Sequence, residues 1–436
     1  MTNIYFSFDT EDFTSSKAAD GILEVATILT EEGIRGGFNI VGLLAEQLVA
    51  WGRTDVLEAL SHHEINFHSF GHSLHPCINE YTNTPDQQAA YQELIRQETA
   101  GLAAVRAATG ASQIYAACPP GINVNFMAMY AYSDLGIPCY IGGILDTEDG
   151  KSMFYCNMLQ HYYYDALDWM VPNGTVYDPA YLDKLAKRQN VIIYNHPNKL
   201  VYRNFWDAVN YYDGENHHPF GQWEEAEPLT EQEREAYRTG IRSFIRALKA
   251  DGRFRFRTFQ EEAQERCFRT RTLRPEDMAG IHAQLRQRFY PVETPDSFCI
   301  SDIFAAAVKF LRGDKGFAAG RVYGFLDTPY AITQPVTVKA ADVKQTAARI
   351  DLRTFLPTSF QVGDVTLGPA DFLYAMLEAL EGSDTITLTP REQNIDLSGL
   401  GGSIEHPELG GWMFAPDFHP DVIEKRSPLQ AWTIRF

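Results

Sequence analysis

The sequence predicts an α/β protein: a closed or distorted (β/α)7 barrel over residues 1–270, followed by a smaller α+β domain over 271–436. Three observations carry this. Strand-like and helix-like segments alternate seven times over about the first 265 residues, a pattern that calls for parallel strands and right-handed crossovers. Ionisable residues gather at the C-terminal ends of several of those strands, where a barrel would collect them in one mouth. From about Arg274 the texture changes to short elements in a background rich in glycine and proline.

The barrel elements follow in order. IYFSFD (4–9) is an apolar-periodic strand, and ADGILEVATILTEEG has helical spacing and stops at Gly33. GGFNIV leads to the helix GLLAEQLVAWGRTDVLEAL, and EINFHS to a helix opened by Thr84-Pro85-Asp86-Gln87, a capping box with proline at its first position. SQIYAAC, the helix NVNFMAMYAYSDLG and the strand PCYIGGI continue the rhythm. DPAYLDKLAKRQ precedes NVIIYNH (190–196), a second capping box runs from Thr230 to Glu233, and FRFRTF (254–259) closes the set.

Two ring-rich stretches, 146–172 and 201–227, read as long loops, and loops of that length are functional or disordered. Their aromatic, Asn and Asp residues suit a sugar; packing as a cap over the barrel is an equally good reading. In the second domain, FCISDIFAAAVKFL (298–311) and PADFLYAMLEAL (369–380) are helix-like, and PVTVKA and SFQVGDVTL strand-like.

A net charge of −20 argues against nucleic acid and anionic membrane surfaces as partners. The six cysteines form no CxxC pair, which fits a reduced, cytoplasmic setting, as does the lack of a leader-like start. No apolar run reaches membrane-spanning length.

Four features sit at expected strand ends. Asp9-Thr10-Glu11-Asp12 follows the first strand, and alternation puts Asp9 and Glu11 on one side. His68-Ser69-Phe70-Gly71-His72 follows the third, its spacing bringing two imidazoles together in a helical turn or a tight loop. His196 ends NVIIYNH, and Asp165-Ala166-Leu167-Asp168-Trp169 lies between. One carboxylate and two histidines make a metal site with an open position for water. Taken singly, DTED also reads as an acidic loop and His196 as a satisfied core histidine.

In these motifs the region 4–260 resembles the polysaccharide deacetylase family with its NodB-type distorted barrel. HSFGH matches the family's H-[ST]-x-x-H motif, DTE its acidic pair, DALDW its D-x-x-D-W motif, and His196 its late histidine. The resemblance implies Asp9 as catalytic base and His196 as general acid. It implies Glu11, His68 and His72 as ligands of one divalent ion, with Asp12 as the alternative to Glu11. Zinc stands first, with cobalt, nickel, manganese or iron also suited. Asp165, Trp169 and Gly121 are the expected substrate-binding residues, Gly121 through a backbone N–H.

One motif departs. Where the family carries arginine before proline, this chain reads Ala117-Cys118-Pro119-Pro120-Gly121. In the family that arginine orients the catalytic aspartate. Here Cys118 is expected to pack, and Arg203 in the aromatic loop is the candidate substitute. Residues 353–380 are also faintly similar to pseudomurein-binding repeats, which would imply glycan attachment; a plain accessory domain is the simpler reading. The expected activity is metal-dependent hydrolysis of the N-acetyl group of a saccharide. The alternatives are hydrolysis of another non-peptide C–N bond, as in allantoinase-like relatives, and a non-catalytic carbohydrate-binding or scaffold barrel.

Overall fold

The computed structural model describes residues 1–120, 125–402, 404 and 411–436. The chain divides into two compact units. The first takes Met1–Ser152, Met158–Cys267 and Leu400–Ile423; the second takes Met153–Asn157, Phe268–Gly399 and Glu424–Phe436.

The strands are β1 Thr2–Thr10, β2 Gly37–Ile40, β3 Glu64–Phe67, β4 Ala116–Ala117, β5 Cys139–Gly142, β6 Met153–Tyr155, β7 Met158–Ala166, β8 Asn190–Asn195 and β9 Phe254–Phe256. Seven parallel pairings close a ring in the order β1-β2-β3-β4-β5-β7-β8 and back to β1. The barrel is therefore a distorted (β/α)7 barrel, but one of its members differs from expectation. MLQHYYYDA, inside the stretch read as a loop, is β7. Its run of rings suits a strand, and crowding by polar neighbours hid it. FRF, expected as the closing strand, pairs only with Thr2–Ile4 of β1, while β2 takes Ser7–Thr10. Because β8 occupies the other edge over Asn3–Phe8, β9 and β2 must share one edge of β1. That sharing is the distortion.

Alternation along β1 points Tyr5, Ser7 and Asp9 into the barrel and Phe6 and Phe8 outward. The outer ring layer packs under helices: Phe6 meets Phe244 edge-on at 6.4 Å, and Phe8 stacks on Phe38 at 4.9 Å. Phe244 belongs to the helix Glu231–Ala250, which buries Tyr237, Ile241, Phe244, Ile245 and Leu248 on one face. The Thr230–Glu233 capping box forms as expected: Thr230 N donates to Glu233 Oε2 at 2.8 Å and Glu233 N to Thr230 Oγ1 at 3.3 Å. The Thr84 box does not. Asp86 caps the helix Gln87–Thr109 instead, accepting from Ala89 N at 3.0 Å. Asp is the better cap because its carboxylate reaches the third amide at the positive helix end.

In the second unit, helices Ile300–Leu311 and Pro369–Leu380 lie where their spacing put them. Val336–Lys339 pairs antiparallel with Thr385–Leu388. SFQVGDVTL is a hairpin, Phe360–Val362 against Val365–Leu367, turning at Gly363 with φ +56°. Phe304, Phe360, Phe372 and Trp432 form the core of this unit.

Candidate metal centre

The strand ends deliver their acidic and imidazole groups to one place. Glu11, one residue past β1, lies with His72 Nε2 2.9 Å and His68 Nε2 3.5 Å from its Oε2. Ligand atoms of these three buried residues lie within 4.8 Å of one another. The two histidines sit in a tight loop rather than a helical turn, with left-handed backbone at Ser69 (φ 67°) and His72 (φ 51°). Non-glycine residues accept that conformation where the surroundings enforce it. Here Ser69 Oγ accepts from His72 N at 3.1 Å.

The hydrogen bonds assign the tautomers. His68 Nδ1 is bonded to the Cys118 carbonyl, which only accepts, so Nδ1 carries the proton. His72 Nδ1 lies 2.6 Å from Ser73 Oγ, whose own hydroxyl donates to Asp207 Oδ2 at 2.8 Å. The serine oxygen therefore accepts from the ring. Both Nε2 atoms are left as lone pairs aimed at a carboxylate oxygen, three acceptors around one centre. Only a cation or added protons can occupy that arrangement, and two imidazoles with a carboxylate suit a divalent transition ion. Trp206 Nε1 holds the remaining carboxylate oxygen of Glu11 at 3.2 Å. When protons rather than a cation lie between these groups, burial pushes the Glu11 carboxyl up, but the His72 and His196 charges and hydrogen bonds from the His68 and His72 rings hold it well below the usual range. Asp12, the alternative ligand, turns aside: its Oδ1 accepts from Thr14 N at 3.0 Å and Thr14 Oγ1 at 2.6 Å. Burial pushes its carboxyl up to about 7.

Asp9 points inward from β1 and is met by Asn39, Tyr163, His196 and Cys118. Asn39 Nδ2, directly across on β2, donates to Oδ1 at 2.6 Å. Tyr163 Oη on β7 donates to Oδ2 at 3.0 Å, and His196 Nε2 is 3.7 Å from the same oxygen. Cys118, standing where the family's arginine would be, is buried with Sγ 3.6 Å from Asp9 Oδ1 and in contact with Tyr163 Oη. Burial pushes its thiol well up, so it packs as a neutral group, as expected. Arg203 is not the substitute: its guanidinium is held by Glu233 at 2.6 and 2.8 Å and by Glu227 at 2.9 Å. Two nearer carboxylates outcompete a distant one.

His196 Nδ1 lies 2.7 Å from Asp168 Oδ2, while Asp168 Oδ1 accepts from Asn195 Nδ2 at 2.7 Å and Tyr237 Oη at 3.1 Å. Burial opposes charging of the ring, but the Asp168, Glu11 and Asp9 carboxylates raise its pKa to about 10. Asp165, the expected substrate contact, lies elsewhere. A bulge opposes Tyr163 to Ile192 and Asp165 to Ile193, so Tyr164 is the extra residue and Asp165 takes the opposite face from Tyr163. Its Oδ2 accepts from Tyr181 Oη at 2.7 Å, on the outer, helix-covered face. Trp169 is 54% exposed. Gly121 lies outside the described residues.

Sequence reasoning missed Asn39, Tyr163, Asp168, Ser73 and Trp206. Asp168 was within the quoted motif, and Asn39 follows from the β1–β2 register; Tyr163 follows from strand alternation once β7 is known, whereas the bulge that turns Asp165 away leaves no sequence signal. The ring-rich loop 201–227 is chiefly a packed cap, with Phe13 edge-on to Trp206 at 4.6 Å and Trp223 at 5.6 Å.

No family model matches the chain, and no curated protein matches it. Among solved structures it is similar to a putative polysaccharide deacetylase from Mycobacterium smegmatis (14% identity, 61% of this chain and 89% of that one, TM-score 0.42). It is also similar to a family 4 carbohydrate esterase from Streptomyces lividans in complex with acetate (14%, 59% and 92%, TM-score 0.31). A third is a CE4 family pseudoenzyme from Bacillus anthracis (12%, 59% and 70%, TM-score 0.31). Ring closure and strand order make the first unit a distorted (β/α)7 barrel, with Asp9, Glu11, His68, His72, Asp168 and His196 grouped at one mouth. Among the described residues no helix is long and apolar enough to cross a membrane.

Proposed function

We propose that the barrel hydrolyses the N-acetyl amide of an N-acetylated saccharide with one divalent ion, zinc first among the choices, held by Glu11, His68 and His72. The observation that carries this is the convergence of two proton-free Nε2 atoms on the Glu11 carboxylate. Bound there, the ion supplies Lewis acidity and eases deprotonation of water. Asp9, fixed by Asn39 and Tyr163, accepts the proton of the attacking water. His196, kept charged by Asp168, gives its Nε2 proton to the departing nitrogen. Hydroxide adds to the carbonyl carbon, the C–N bond breaks, and acetate and a free amino sugar leave. The exposed Trp169 ring offers a stacking face for the sugar.

The test is acetate release from N-acetylated mono-, oligo- and polysaccharides with several divalent metals. Asp9→Asn should retain metal and lose acetate release, and His72→Ala should lose both. Full hydrolysis by Asp9→Asn overturns the assignment. The absent arginine favours a second reading, a non-catalytic saccharide-binding barrel, marked by sugar binding without acetate release in the metal-loaded chain.

A further inference from the structure

A second group of donors lies on the segment that leaves the HSFGH loop. His75, Cys77 and Glu80 place an imidazole nitrogen, a sulfur and a carboxylate oxygen within 4.8 Å of one another, sharing no residue with the barrel cluster. His75 Nδ1 is 2.7 Å from Glu80 Oε2 and 3.5 Å from Cys77 Sγ. The other ring nitrogen, Nε2, faces the Tyr211 carbonyl at 3.3 Å. A carbonyl only accepts, so Nε2 carries the ring's proton. In the neutral ring Nδ1 is then a lone pair facing the Glu80 carboxylate, two acceptors with the Cys77 sulfur beside them.

Two properties suit these residues to a cation. The spacing His-x-Cys-x-x-Glu sits within one short turn, so little chain entropy is lost when the donors converge. The Glu80 carboxylate is also placed from the backbone, since Cys77 N donates to its Oε2 at 2.5 Å. The side chains of His75 and Glu80 are 7% and 20% exposed. His75 and Cys77 line a cavity of about 210 Å3 together with His72 and Leu74, which leaves room for water as a further ligand.

We propose that His75, Cys77 and Glu80 form a second divalent-cation site, with the mixed N, S and O donors that select zinc, whose role is to pin the loop bearing His72 to the turn Ile78–Thr82. Binding displaces the thiol proton to solvent.

The experiment loads the full-length chain with Zn2+ or Co2+, removes excess ion by dialysis, and reads metal content and the near-ultraviolet thiolate-to-cobalt charge-transfer band. Two equivalents and a band are expected for the wild type. His72→Ala should keep the band and lose one equivalent. Cys77→Ser should lose the band and one equivalent, and Glu80→Gln should weaken the band while folding is checked by circular dichroism. Cys118→Ser should keep the band. A wild-type chain without the band, or a band that vanishes only in Cys118→Ser, overturns the proposal. The two sites fail separately: loss of the second site leaves the equivalent that depends on His72, and loss of the barrel site leaves the band that depends on Cys77.

Discussion

Replacing Asp168 by Asn removes one charge and almost nothing else. In the native chain Asp168 Oδ2 is 2.7 Å from His196 Nδ1 and helps to hold the ring at about 10 against an ordinary 6.5. That gap is worth about 5 kcal/mol at about 1.36 kcal/mol per unit. Asp9 and Glu11 keep their charges, so about half of it should go with Asp168, moving the ring down by about 2 units. The new amide would keep its oxygen toward Asn195 and Tyr237 and turn its NH2 to Nδ1. His196 then holds its proton on Nε2, the nitrogen facing Asp9, so the donor is retained and only the fraction charged changes. At pH 7 both forms are mainly imidazolium; at pH 9 a ring titrating near 8 is charged about tenfold less often than one near 10. Acetate release by Asp168→Asn should therefore be close to wild type at pH 7 and about tenfold lower at pH 9. Nuclear magnetic resonance titration of the His196 Cε1–H reads the same shift without substrate. The ring's raised pKa also stabilises the fold: the contribution is complete below about 6.5 and is lost as pH rises through about 10, so the variant's deficit in urea unfolding should shrink at high pH. An unmoved titration, or equal loss of activity at both pH values, refutes the reasoning.

Other perturbations have separable outcomes. Ser73→Ala leaves His72 Nδ1 without its oriented partner, and competition with a chelator should show metal bound about 10–100-fold more weakly. Tyr163→Phe removes a hydrogen bond to the Asp9 carboxylate worth about 1.5 kcal/mol, so turnover should fall about tenfold with metal content unchanged; an unaltered rate would exclude Tyr163 from orienting the base. Glu98, buried against Phe70 N and Tyr132 Oη, has its carboxyl pushed up to about 7 by burial. Its stabilising contribution is present below the ordinary 4.5 and is lost as pH rises through about 7. Glu98→Gln should accordingly raise stability at pH 8 by roughly 1–3 kcal/mol and leave pH 4 nearly unchanged, as read by urea titration. Arg203→Gln, which breaks only exposed ion pairs, should change stability by less than about 1 kcal/mol and leave acetate release intact.

Local chemistry was legible wherever a residue's role depends on near neighbours in the chain. The Thr230–Glu233 cap, the period of the helix Glu231–Ala250, the inward face shared by Ser7 and Asp9, and the spacing that joins His68 to His72 all depend on contacts a few residues long. They could be read because periodicity and capping are short-range. The same reading misjudged β7, whose aromatic run gains its meaning only from the two strands beside it, and counted β9 as a barrel stave although its partner is half an edge of β1. The side chains of Glu11 and Asp12 part company through Trp206 and Thr14, partners nearly two hundred residues apart. Asp165 faces away from Tyr163 through one extra residue in β7, which reverses every later side chain on that strand. What the sequence by itself determined was which chemistry could be assembled here: carboxylates and imidazoles at strand ends, with cysteine rather than arginine ahead of the proline pair. Only the tertiary structure decided which atoms meet, because register, bulge and ring closure are set by partners far away in the chain and leave no mark on the residues between.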